Sequence, residues 1–344
     1  MKKLVYNINL SLLLLLIIGS NAFAQKFEHE KKISKSYTTS SSTSLSIENK
    51  FGDVHIHTNN GNTIKVDISI IAKGRTQEIS EKMLENIDVQ INEGTNISFK
   101  TIINSSKNNW GNVSTFTAKE NKNAEYEINY IVSMPQTVPL DLNNKFGAIY
   151  LGDFKAALDL DLGYGNLKAG KIYKSSSTDI KVSFGKADID YMESGDLKIS
   201  YSDLKLSAAK DIQFEGKYGS FDIGNLSSLS GSTAYSNVNI GNLSNSLELS
   251  SKYDGNLKIS DISSAFKNIN ISCQFSSVEL DFVSNASFSF TVDTKFGKFK
   301  MGDTPVKIHK EIRSHTSESF EGVYGNGSGA KVNVTANYGN VSFK

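Results

Sequence analysis

The sequence predicts an all-β fold: a parallel β-solenoid, a single-stranded β-helix of about 9–11 coils of roughly 17–22 residues each, with one short helix in its N-terminal part. Two observations predict it. The first is a repeated aromatic followed by Gly or Ser: Phe146, Tyr164, Phe184, Tyr201, Tyr218, Tyr235, Phe275 and Phe296, with Tyr253 a variant followed by Asp254-Gly255. Successive intervals in this series are 18, 20, 17, 17, 17, 18, 22 and 21 residues. The second is side-chain parity. Leu158, Leu160 and Leu162 share the parity of Tyr164, whereas Leu167 and Ala169 beyond it have the opposite one. An odd step would turn a straight strand inside out, so each aromatic marks a corner at which the chain bends and both flanking strands still point inward. Glycine suits such a bend. On this reading the nine aromatics form a buried internal ladder. A second corner, Gly152-Asp153, Gly224-Asn225 or Gly241-Asn242, follows six residues after its aromatic.

Ahead of the coils, residues 1–24 read as a cleaved secretory signal: Lys2 and Lys3, the apolar run Leu10–Ile18, and Ala22-Phe23-Ala24 before Gln25. Residues 25–139 form a β-rich region. It contains one copy of the corner signature at Phe51, a helix over 76–88 with Ile79, Met83, Leu84 and Ile87 on one side, and a polar loop over 104–123. Pro135 and Pro139 lead into the coils of 140–344, where Tyr324 reads as a degenerate corner and Tyr338 as a further copy.

Composition excludes several classes. With 37 basic and 36 acidic residues there is no bulk field for nucleic acid or an anionic membrane. Arg75 and Arg313 are the only arginines, which disfavours a surface that forks onto phosphates. Cys273 is the only cysteine and shares the parity of Ile269, Ile271 and Phe275, which alternate with Asn270, Ser272 and Gln274, so it reads as a small buried hydrophobe. No second long apolar run follows the signal, so no membrane insertion is expected after cleavage.

The chemistry-bearing residues are few. His55 and His57 share one face of "DVHIH" with Asp53 and could supply half of a metal site, but no third ligand is visible nearby. The pairs Asp159/Asp161, Asp188/Asp190 and Glu279/Asp281 flank inward apolar residues and so point outward. They could bind calcium or activate water on a β-helical glycosidase, or simply be solvated. Trp110, in the polar loop, could stack on a sugar or a partner side chain. No catalytic residue, cofactor or metal is assigned; Trp110, His55 and His57 are the candidate ligand contacts.

The signal, "IENKFGDVHIHTNNGNTIKVDI", the single helix, "SMPQTVPLDLNNKFGAIYL" and the coils together resemble a family of adhesin-type bacterial envelope proteins. It is a domain family of unknown function, related to the auto-transporter adhesin head type. The resemblance covers about residues 40–344 and implies a β-helical fold and an envelope or surface location; it carries over no catalytic residues. The expected function is therefore a non-catalytic, exported binding or scaffolding module in the periplasm, on the outer surface or secreted. Its partner would be an envelope or extracellular glycan or protein. A polysaccharide lyase or hydrolase, or an envelope stress or signalling accessory protein, stand as alternatives.

Overall fold

A computed structural model of the chain describes residues 26–104, 125–173, 177–302, 304–327 and 329–344. The expected signal and Trp110 lie outside them. The described residues fall into two compact units.

The smaller unit holds residues 26–32, 69–88, 102–104 and 125–127. Its helix, Gln77–Glu85, starts where Thr76 takes an extended backbone and its Oγ1 accepts the Ile79 N–H at 3.3 Å. Glu78 in the first turn pairs with Lys82 one turn on at 2.5 Å. Only Ser80 and Met83 are buried on it. The helix is shorter than the expected 76–88: it closes at Asn86, and Ile87–Asn92 continues as a strand.

The larger unit comprises residues 33–68, 89–101 and the described residues from 128 onward. Two ladders of parallel strands run through it. In the first, Ile47, Leu142, Leu160, Ile180, Leu197 and Phe214 are successive register partners. In the second, Ile56, Leu151, Ala169, Ile189, Leu206, Ile223, Ile240, Ile259, Leu280 and Phe343 are. All of these are buried, so the alternation in sequence becomes two apolar rows facing one interior.

The expectation of a parallel β-solenoid is corrected at this point. The sheet is mixed: Phe288–Lys295 pairs antiparallel with Ser317–Tyr324, which pairs antiparallel with Val306–Arg313. The physical reason lies in the sequence after Phe296. "VKIHKEIR" and "SESFEGVY" are joined by a short turn in which the Ser314 N–H donates to Ser317 O at 2.8 Å, and a link this short can only fold the chain back. Tyr324 is consequently no corner; it is buried, 4.8 Å from Phe288 between ring centroids.

Chain order and spatial order also part company. Ala330–Asn337 lies parallel between Asn268–Gln274 and Phe288–Lys295, and Val341–Phe343 lies between Ser277–Phe282 and Phe299–Lys300. The coil made by Ala330–Phe343 is thus inserted between two coils that precede it in the chain.

Candidate functional site

The aromatic corners form one continuous column. Phe51, Phe146, Tyr164, Phe184, Tyr201, Tyr218, Tyr235, Tyr253, Phe275, Tyr338 and Phe296 stack in that order, with centroids 4.6–5.1 Å apart and planes within 3–14°. The spacing is that of neighbouring strands. Each ring is placed by the backbone beneath it: the Tyr218 N–H donates to Ala234 O, Tyr235 to Lys252 O and Tyr253 to Gln274 O, at 2.7–3.1 Å. All eleven residues have positive φ, between 51° and 63°.

This corrects the expected internal ladder. Ten of the rings are 43–53% exposed and Phe51 is half-buried. The left-handed backbone at the aromatic swings its side chain outward and lets the next strand point in, so the parity step is real while the ring lies outside. The following glycine has a different role from the one expected. At Gly219 the backbone is not left-handed; an added Cβ would stand 1.9 Å from Ser202 O of the neighbouring coil. Glycine is there for close approach and the aromatic carries the unusual φ.

A left-handed conformation costs a non-glycine residue about 1–2 kcal/mol, and one stacking contact per corner returns about 0.5–1.5 kcal/mol. The column therefore holds itself roughly in balance. It also leaves a large apolar surface. At about half exposure, and with roughly 200 Å² per aromatic side chain, ten rings present about 1,000 Å². Contiguous apolar patches on monomeric proteins seldom exceed about 600 Å². Because neighbours cover the ring faces, the surface consists of ring edges, with phenols at Tyr164, Tyr201, Tyr218, Tyr235, Tyr253 and Tyr338. Residues immediately before the rings include Lys50, Lys145, Lys217, Lys252 and Lys295 and no acid.

The candidate residues of the N-terminal region are placed as follows. His55 is half-buried and stacks on Tyr150 of the next strand, 4.4 Å apart at 13°. His57 is exposed, its ring 6.3 Å from that of His55. Asp53, on the same face in sequence, accepts the Ala148 N–H at 2.7 Å. Among the described residues no group of three or more His, Cys, Asp or Glu is placed to hold a metal ion. His29 bonds Ser80 Oγ at 2.8 Å and lies 3.4 Å from Glu81.

Of the acidic pairs, Asp161 meets Lys181 at 3.4 Å, and Glu279 meets Lys258 at 3.3 Å and Lys344 at 2.8 Å. Its bond to Lys344 holds Glu279 below the ordinary carboxylate range. Asp159 is pushed up, first by burial and then by Asp141, Asp179 and Asp161; Asp141, Asp159, Asp179 and Asp196 are register partners on successive strands. Cys273 is buried, and that burial pushes its thiol up to about 12. A cavity of about 250 Å³ opens elsewhere along the stack, lined by Asp196, Asp211, Gln213, Ser230 and Glu248 over Ile212 and Leu229.

No family model matches the chain, and no curated protein does. Among solved structures, a candidate cell adhesion protein from Clostridium sporogenes is 12% identical, with 92% of this chain and 99% of that chain covered and a TM-score of 0.23. A candidate adhesin from Bacteroides fragilis is 11% identical, covering 91% and 97%, with a TM-score of 0.31. A candidate lipid binding protein from Parabacteroides distasonis is 10% identical, covering 92% and 96%, with a TM-score of 0.30. Likeness at this level assigns the chain no activity. No helix among the described residues is long and apolar enough to cross a membrane.

The outward column was within reach of the sequence. Its positions hold Phe and Tyr interchangeably, five of one and six of the other. A buried phenol needs a hydrogen-bond partner, so free exchange between the two is a signature of a solvent-facing site.

Proposed function

We propose that the protein is an exported, non-catalytic binding module of the bacterial envelope, adhesin-like in role, and that it engages its partner along the aromatic column. One observation carries this reading: a parallel stack displays about 1,000 Å² of aligned aromatic edges, comparable with the roughly 800 Å² that one partner contributes to a standard interface. The backbone supports it, because left-handed corners are sites where Gly or Asn would normally stand. The ring edges carry the positive side of the aromatic quadrupole, and the phenols donate hydrogen bonds. Lys50, Lys145, Lys252 and Lys295 beside them add positive charge, whereas Lys217 is paired with Glu215 at 2.6 Å. The surface therefore suits an extended envelope glycan or protein that offers hydrogen-bond acceptors along its length.

The test replaces Tyr201, Tyr218 and Tyr235 together by Asn, which tolerates left-handed backbone and so removes the rings without breaking the corners. Binding to purified peptidoglycan, to outer-membrane vesicles and to a glycan array is then compared with that of the unaltered chain. The expected result is a loss of at least about tenfold in affinity with a melting temperature lowered by no more than a few degrees, since Asn relieves the strain as the stacking is lost. Equal binding by both chains contradicts the proposal.

A further inference from the structure

The inserted coil has a consequence beyond the column. Elsewhere along the main run of coils, each coil lies on the one before it in the chain. From Asn268–Phe282 to Phe288–Lys300 the chain instead moves two strand spacings, about 10 Å, and leaves a slot one coil wide. That slot is filled from later in the chain. Ile271, Val334 and Val292 are register partners across it, as are Val278, Val341 and Phe299. Both walls bond to the insert: the Phe275 N–H donates to Asn337 O at 2.8 Å, and the Tyr338 N–H to Lys295 O at 2.7 Å. Phe343 is buried with its ring centroid 5.2 Å from Phe282 on one wall and 4.8 Å from Phe299 on the other.

The insert is joined to the strand Ser317–Tyr324 by "GNGSG", residues 325–329, in which Gly325, Gly327 and Gly329 have φ of 61°, 76° and 90°. The strands that the link joins lie on opposite sides of Phe288–Lys295, because Phe288 is the register partner of both Tyr324 and Ala330. The two walls make no strand pair with each other, so they accept a coil from whichever chain supplies it.

We propose that Ala330–Phe343 is an exchangeable coil: it can fill the same slot in a second copy of this chain and so join copies in the envelope. All the backbone pairs, the Phe343 anchor and the continuity of the aromatic column through Tyr338 would be kept, which makes exchange low in cost. A reciprocal exchange closes a dimer, and a one-way exchange makes an open chain of copies. The glycine link holds the coil near its own slot at an effective concentration on the order of millimolar. Exchange is thus a property of refolding or export at high local concentration.

The test uses the register pair Cys273 and Ala336, both buried and about 4.8 Å apart between Cα atoms, within disulfide range. Full chains carrying A336C in a Cys273→Ser background are mixed with unaltered chains, which carry only Cys273. The mixture is unfolded in urea, refolded, and oxidised with diamide. In cis, neither chain can form the pair; only exchange brings Cys273 of one copy beside position 336 of another. A covalent heterodimer is expected, a substantial fraction at millimolar chain and about a thousandfold less at micromolar. A control chain with A336C and native Cys273 must lose both free thiols without dimerising at low concentration, which shows that the variants fold and that the pair can close. If the control closes in cis and the mixture gives no heterodimer at millimolar chain, the proposal is wrong.

Discussion

Replacing Gly219 by Ala tests the close packing of the corners with one methyl group. The added Cβ would lie 1.9 Å from Ser202 O and 3.0 Å from Phe221 Cε1. A carbon rests about 3.3 Å or more from a carbonyl oxygen, so the two coils must part locally by about 1.4 Å. The Tyr201 N–H to Lys217 O bond at 2.9 Å and the Ser220 N–H to Asp203 Oδ1 bond at 3.1 Å join these two coils at the same corner. Overpacking costs about 1–3 kcal/mol, and loss of one or two of these bonds adds about 1 kcal/mol each. The expected loss is therefore about 3–5 kcal/mol, read from urea melts followed by far-ultraviolet circular dichroism. Ser236, at the matching place one coil on, accommodates a Cβ and bonds Ala234 O through its hydroxyl at 2.8 Å. Ser236→Gly should cost no more than about 1 kcal/mol. A loss below about 1 kcal/mol for Gly219→Ala would refute the reasoning.

Four further outcomes are expected. Tyr218→Ala should cost about 1–2 kcal/mol, less than a buried ring would, and Tyr218→Asn less again because Asn accepts left-handed backbone; equal melting of the two variants would count against the strain argument. Asp254→Ala should cost about 3 kcal/mol, because the buried carboxylate accepts the Ser236 N–H at 2.9 Å and the Ser251 and Thr233 hydroxyls, and a melt unchanged from the parent would contradict that. Cys273, its thiol pushed up to about 12 by burial, should resist maleimide in the folded chain at pH 8 and react on unfolding, as mass spectrometry would record. Asp159 has a raised folded value, so its charge opposes folding at neutral pH and the penalty lifts as pH falls through that value toward 3.8; Asp159→Asn should melt slightly higher at pH 7, a gain that vanishes at pH 3.

Much of the fold was legible in particular residues. The step from Tyr164 to Leu167 located a bend, and the bend is where φ turns positive. The helix start was written in Thr76, and its early stop was not, because Ile87 continues the helical spacing while its backbone joins a strand. Two things were hidden for physical reasons. Parity counts assume extended backbone, and one left-handed residue turns a side chain outward without altering the count. Local spacing also says nothing about which non-adjacent coil a segment will join, so the place of Tyr338 between Phe275 and Phe296 could not be read from intervals. Of the candidate surface, the intervals give the positions of the rings, and only the mixing of Phe and Tyr encodes their exposure.

Hydroxyl-radical footprinting tests the central claim most directly, with side-chain oxidation read by mass spectrometry in the free chain and in the chain bound to whichever envelope preparation captures it. Tyr201, Tyr218, Tyr235 and Tyr253 should oxidise readily when free, far faster than the buried Tyr130, and should become protected together on binding. Rings as unreactive as Tyr130 in the free chain, or rings equally reactive with and without the bound preparation, would contradict the account.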